Sequence, residues 1–165
     1  MTTPHTIPVR IAIAPDRPNI PLPSYAHDGD AGMDVLAAES FELEPGERRA
    51  VRTGIIFEIP LGYEMQIRPK SGLALNSGIT VLNAPSTIDS GYRGEVKVVL
   101  VNLGCVSVHF ATGTKIAQLV FAPVTRAELH PARTEDLSAT ERGTGGCCAG
   151  STSTGCCLSH RSGSH

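Results

Sequence analysis

The chain has 165 residues, enough for one domain around a single core. Hydrophobic residues make up 41% but aromatics only 4%, with no Trp, so Val, Ile, Leu and Ala must fill that core. A formal net charge of -2 argues against a broad nucleic-acid or membrane surface, so a polyanionic ligand must be met by a local cluster of donors.

From the start of the chain, residues 1–15 lack the charged opening and long apolar run of a signal peptide, and no later stretch approaches membrane-spanning length. The expectation is a soluble, cytoplasmic protein without nucleic-acid or membrane partners. Short runs rich in β-branched residues then recur, at 9–14, 33–37, 51–59, 63–67, 96–102, 106–110 and 116–124. Turn residues separate them, as in Glu44-Pro45-Gly46, Pro60-Leu61-Gly62 and Thr112-Gly113. Many short strands at this spacing predict an all-β sandwich or barrel. One short helix is predicted over 71–76, and Cys105 is expected as a small buried hydrophobe inside a strand.

The texture changes near Thr134. A β domain over 1–140 is expected to give way to a flexible arm over 141–165, where Gly, Ser, Thr and Cys dominate and apolar anchors are scarce. Four of the 5 cysteines form the adjacent pairs Cys147-Cys148 and Cys156-Cys157. That clustering does not read as a disulfide framework. It also fits poorly the spacing of zinc ligand pairs, even with His160 and His165 nearby.

Five stretches carry groups suited to phosphate or carboxylate chemistry. They are Ala31-Gly32-Met33-Asp34-Val35; Arg68-Pro69-Lys70-Ser71-Gly72-Leu73-Ala74; residues 78–96; Gly113-Thr114-Lys115-Ile116-Ala117-Gln118-Leu119; and Arg142-Gly143-Thr144-Gly145-Gly146. In the second, Ser71-Gly72 before a helical turn offers backbone N–H groups and a hydroxyl to a phosphate, with Arg68 and Lys70 adding charge. In the third, Pro85-Ser86 between two β-prone runs predicts a hairpin, whose main-chain groups can pair with a pyrimidine edge. Asp89 on its own reads as a turn carboxylate capping a backbone amide, the commoner fate of Asp in loops. Asp34 reads as a strand-end carboxylate paired to a nearby Arg, and Gln118 as an interface amide.

In order and spacing, the five stretches resemble the motifs of the trimeric deoxyuridine triphosphate nucleotidohydrolase (dUTPase) family, over about residues 8–146. The resemblance implies a jelly-roll-like protomer in a homotrimer whose active sites each draw on three chains. It implies hydrolysis of dUTP to dUMP and pyrophosphate with Mg2+ held by the phosphates and water, not by protein ligands. Such an activity limits uracil incorporation into DNA and supplies dUMP for thymidylate synthesis.

Residue by residue, the resemblance makes Asp89 the carboxylate that orients and deprotonates water, and Asp34 its supporting carboxylate across a subunit boundary. Asn83 contacts the uracil, and Tyr92 packs against the deoxyribose and excludes a 2′-hydroxyl. Lys70, Ser71, Gly72 and Gln118 take the phosphate chain, while Thr87 and Ile88 of the third stretch and Lys97 just after it complete the substrate-binding candidates. Arg142 acts as an arginine finger on the γ-phosphate, with Ser151 and Thr152 in the phosphate loop.

The chain departs from the family pattern at three places. Lys70 stands where Arg is usual and keeps the charge without the bidentate fork. Ser86 stands where Gly is usual, a substitution that strains the chain by ~1 kcal/mol if that position needs positive φ. Cys147-Cys148-Ala149 stand where one stacking ring is expected. Two other readings stay open on sequence: a dCTP deaminase of the same fold, with Glu95 as its carboxylate, and a nucleotide-binding regulatory protein with weak catalysis.

Overall fold

The computed structural model describes residues 6–17, 19–141 and 143. Arg142, Ser151, Thr152 and the paired cysteines therefore lie outside the described residues. The chain divides into two compact units, residues 1–126 and 127–165. The second unit contains a short 3-10 turn at Thr134–Asp136, against which Arg133 Nε pairs with Asp136 at 3.0 Å.

Ten strands and one helix make up the first unit: β1 (Arg10–Ile13), β2 (Met33–Leu36), β3 (Phe41–Leu43), β4 (Arg48–Glu58), β5 (Tyr63–Arg68), α1 (Ser71–Ser77), β6 (Ile79–Val81), β7 (Ser86–Ile88), β8 (Glu95–Asn102), β9 (Val108–Phe110) and β10 (Lys115–Pro123). Every strand pairing is antiparallel. One four-stranded sheet runs β1-β4-β8-β6, a second runs β2-β10-β5-β7, and β3 with β9 forms a two-stranded ribbon. Among the described residues no helix is long and apolar enough to cross a membrane.

The period of two expected of a half-buried strand is plain in β8, where Val96, Val98 and Leu100 are buried while Glu95, Lys97 and Val99 are not. The same alternation turns Val51, Thr53, Ile55 and Phe57 of β4 inward. Aliphatic residues from both large sheets meet in one core, and Phe41 and Phe110 stack at 4.7 Å across the small ribbon. The buried Asn102 is fully engaged. Its Nδ2 donates to the carbonyls of Leu43 and Val106 (2.9 and 2.8 Å), and its Oδ1 accepts from Gly104 N–H at 2.8 Å.

Two glycines are dictated by geometry. Gly54 has φ 72° where the β4–β8 register shifts between Arg52 and Ile56, and an added Cβ would meet Ile20 at 3.0 Å. Gly78 closes α1 in the left-handed region, and a Cβ there would lie 2.6 Å from the Gly104 nitrogen.

Two sequence expectations are corrected. Cys105 is exposed in the bend between β8 and β9, because the run after Asn102 leaves the sheet at Leu103-Gly104. The expected hairpin around Pro85 is not a paired ladder. β6 pairs with β8 and β7 pairs with β5, so the connection through Leu82, Asn83, Ala84 and Pro85 passes from one sheet to the other. The Ala84-Pro85 bond is cis. Ser86 is an extended residue of β7 opposite Ile67, so the strain expected of a positive φ does not arise.

Candidate active site

The second sheet sets the site. In β10, Gln118 stands opposite Asp34 of β2 on one side and Arg68 of β5 on the other. Registered neighbours share a face, so Asp34, Gln118 and Arg68 form one row across three strands. Directly after Arg68 the chain leaves β5, and Lys70 precedes α1, whose first residue is the exposed Ser71. The first, second and fourth sequence stretches thus meet at one end of this sheet. Gly32 helps: a Cβ there would press on Gln118 Cβ and Val120 Cγ2 at 3.4 Å, so the small residue lets the chain pass close to β10.

Asp34 is the electrostatic centre of that end. Its Oδ1 accepts from Lys70 Nζ at 2.6 Å, and its Oδ2 pairs with Lys115 Nζ at 2.8 Å. Partial burial works against the ionised carboxylate, yet the hydrogen bonds and charges of Lys115 and Lys70 outweigh it and hold the group below its ordinary range. The sequence gives Lys115 no role of its own; a cation following Gly113-Thr114 at the start of an apolar strand is the available signal. Arg68 does not join this cluster through its side chain, which donates to Gln66 Oε1 at 3.0 and 2.7 Å. Gly72 faces open space, with nothing within 4 Å of an added Cβ.

The third stretch lies on the other edge of β5. Ile67, Gln66 and Met65 face Ser86, Thr87 and Ile88 in turn. Because β7 runs antiparallel to β5, Asp89 emerges at the end of the sheet away from Arg68. Continuing the register puts Asp89 beside Glu64. This is about four residues, or ~13 Å, along the strand from the Gln118 row, with ~14 Å of strand spacings separating it from Asp34. Within one chain, then, Asp34, Lys70, Ser71 and Gln118 gather, and Asp89 and Tyr92 do not join them.

Asp89 is exposed and begins a tight turn in which Tyr92 N–H donates to its carbonyl at 3.1 Å. The Tyr92 ring lies across Gly94, where any Cβ would collide with it, and its hydroxyl donates to the Glu95 carbonyl at 3.0 Å. Asn83 is exposed in the connection between β6 and β7, Thr87 is exposed on β7, and Ile88 packs on the core. Lys97 is exposed on β8, opposite Arg52 of β4.

Glu95, the carboxylate a deaminase would need, is already engaged. Arg52 Nε donates to both its oxygens at 3.1 and 2.9 Å, and Gly54 N–H donates to Oε1 at 2.8 Å. Asp16 takes the far side of the same guanidinium at 2.7 and 3.0 Å. The Asp16 and Glu95 hydrogen bonds raise the Arg52 pKa, and the Arg52 hydrogen bond lowers that of Asp16. Sequence reasoning missed this bridge, since nothing local links residues so far apart. An apolar hollow of about 470 Å³ among Val9, Leu22, Tyr25, Met33, Phe57 and Phe121 contains none of the candidate residues except the neighbourhood of β2.

The arrangement is that of an antiparallel β protein with a carboxylate, two lysines, an amide and a serine at one sheet end, suited to a phosphate-bearing ligand. The dUTPase family profile matches residues 18–152, and the chain belongs to that family. A deoxyuridine 5′-triphosphate nucleotidohydrolase of Methylocella silvestris is 52% identical over 150 residues, covering 88% of this chain and 91% of the relative. A Staphylococcus bacteriophage 80alpha dUTPase point mutant with dUpNHpp superposes with a TM-score of 0.75 at 25% identity, over 88% of this chain and 99% of that one. A mutant dUTPase from phage phi11 of S. aureus, described with a coordinated structural Mg(II) ion, gives a TM-score of 0.71 at 22% identity, over 79% and 100% of the two chains.

The Asp34 cluster has a measurable signature. A carboxylate whose folded pKa is depressed adds stability at pH above its ordinary value of 3.8, and that stability is lost as pH falls through the folded value. At pH 7, Asp34→Asn is expected to destabilise the fold by about 1 kcal/mol, because Lys115 is half exposed and solvent screens its share. Thermal melts of the two proteins should converge as the pH drops below the carboxylate range. A gap that is constant with pH would contradict the role given to the two lysines.

Proposed function

We propose that the chain hydrolyses dUTP to dUMP and pyrophosphate through attack of an Asp89-activated water on the α-phosphorus. The observation that carries this reading is the match, over 88% of this chain and 91% of the relative, to a protein named for that activity. The chain's own residues supply matching chemistry. Water is a poor nucleophile at neutral pH, and Asp89 provides a solvent-reachable carboxylate to orient it and take its proton. Lys70, Ser71 and Gln118 receive the phosphate chain, and Asp34 fixes Lys70 toward it. These donors offset charge that develops as pyrophosphate leaves.

Selection of the nucleoside falls to the third stretch. Asn83 and the main chain around the β6–β7 connection meet the uracil edge, with Thr87 and Ile88 on the adjoining strand. Tyr92, fixed against Gly94, walls the deoxyribose and refuses a 2′-hydroxyl by contact. Lys97 adds a cation on the neighbouring sheet. Arg142, Ser151 and Thr152 serve the γ-phosphate in the same reading.

The working unit is a homotrimer of jelly-roll-like protomers. The support is the separation of the Asp34 cluster from Asp89 on one sheet: general-base catalysis needs contact within about 3 Å, so the base of one chain must serve phosphates held by another. Among the described residues no three His, Cys, Asp or Glu side chains gather around a common point, and Asp34 is occupied by two lysines. That donor set fits a Mg2+ carried on triphosphate oxygens and water. Bound there, magnesium neutralises phosphate charge and restricts the triphosphate to one geometry.

Asp89→Asn is expected to lower turnover of dUTP by about 10³-fold while leaving dUTP binding near the wild-type level, as read by calorimetry. Unchanged turnover would remove Asp89 from the mechanism. A chain ended after Thr140 is expected to keep the mass of three protomers in light scattering yet lose most of its turnover. Full activity in that truncation would exclude Arg142, Ser151 and Thr152 from catalysis.

A further inference from the structure

The loop between β7 and β8 carries both the water-activating carboxylate and the sugar wall, yet its residues 89–93 are all partly or largely exposed. A solvent-facing turn of this kind has little packing to hold it. The Tyr92 N–H bond to the Asp89 carbonyl and the Tyr92 hydroxyl bond to the Glu95 carbonyl hold its two ends, and a further contact is needed to brace the carbonyls between them.

Arg93 is placed to do this. Its Nη1 donates to the Ser90 carbonyl at 2.6 Å and to the Tyr92 carbonyl at 2.8 Å, gathering two turn carbonyls on one nitrogen. Its Nη2 lies 3.7 Å from Glu58 Oε1 on β4, and the other oxygen of Glu58 pairs with Arg10 of β1 at 3.0 Å. Arg10 and Glu58 are themselves registered partners in the β1–β4 ladder. The guanidinium therefore links the β7–β8 loop to the end of β4, beside the Arg10–Glu58 pair.

We infer that Arg93 is a positioning residue, which holds the Asp89–Tyr92 turn in its working geometry by clamping the Ser90 and Tyr92 carbonyls against Glu58. This rests on the roles proposed above for Asp89 and Tyr92. The planar fork matters, since one nitrogen serves two carbonyls while another faces the carboxylate. Lysine, with a single nitrogen on a flexible stem, reproduces the charge but only part of the clamp. Loosening the turn moves the Tyr92 wall first, so selection against the 2′-hydroxyl should fall along with turnover. General loss of stability would not produce that change in selectivity.

The test uses the full chain and compares kcat/KM for dUTP and UTP in wild type, Arg93→Met and Arg93→Lys, with thermal melts alongside. Arg93→Met is expected to lower the dUTP-over-UTP ratio by about tenfold, and Arg93→Lys to fall between it and wild type. A ratio within twofold of wild type in folded Arg93→Met overturns the inference. If Arg93→Met does not fold, Arg93→Lys decides: a ratio reduced by about threefold or more supports the clamp, and a smaller change overturns it. Wild-type chain that fails to hydrolyse dUTP removes the clamp together with the proposed function. Active wild type with an unchanged ratio in the variants removes the clamp alone.

Discussion

Strand β5 occupies the inner position from which the chemistry is distributed. With β10 on one edge and β7 on the other, its six residues fix the height of every candidate on that sheet. Gln118 is locked to Arg68 and Asp34 at one end, while Ile88 is locked to Met65 near the other. A slip of one residue would reverse the faces of β5, taking Met65 and Ile67 out of the core. The core therefore enforces the register, and the register enforces the separation between the Asp34 cluster and Asp89.

Electrostatics then divide the polar residues by task. Asp34 and Glu95 are both partly buried carboxylates, but their partners differ in kind. Glu95 is closed off by a guanidinium and a backbone N–H, and it anchors the bulge at Gly54 and the start of β8. Asp34 is met by two lysines, Lys70 and the half-exposed Lys115. Asp89 stands at an exposed turn, where substrate and water can reach it. Three carboxylates thus sit in three settings: Glu95 held by an arginine, Asp34 between two lysines, and Asp89 exposed.

Much of the fold was legible in the sequence because period-two alternation and Gly/Pro punctuation are local signals. The strands at residues 48–58 and 95–102 are the clearest cases, with long β-branched runs and one inward face. The ribbon strand Phe41–Leu43 was not legible, since three residues are too few to display a period. Cys105 misled because Val106 and Val108 extend the apolar texture past Gly104, while the chain has already left the sheet. The hairpin around Pro85 misled because a turn signal fixes that the chain reverses, not which strand each arm will pair with. In the site, the motifs named Asp34, Lys70 and Gln118 individually, but their meeting depends on sheet order. The Arg52 bridge depends on tertiary contacts that no local pattern encodes, whereas Arg93 meets Ser90 and Tyr92 locally and only its pairing with Glu58 is tertiary.

The central claim is chemical, and release of pyrophosphate tests it most directly. The full chain would be given dUTP with and without Mg2+, beside UTP, TTP and dCTP under the same conditions. The account predicts magnesium-dependent release from dUTP, with the other three nucleotides nearly untouched and no ammonia from dCTP. A folded chain that releases no pyrophosphate from dUTP, or that treats UTP and TTP as readily, would contradict it.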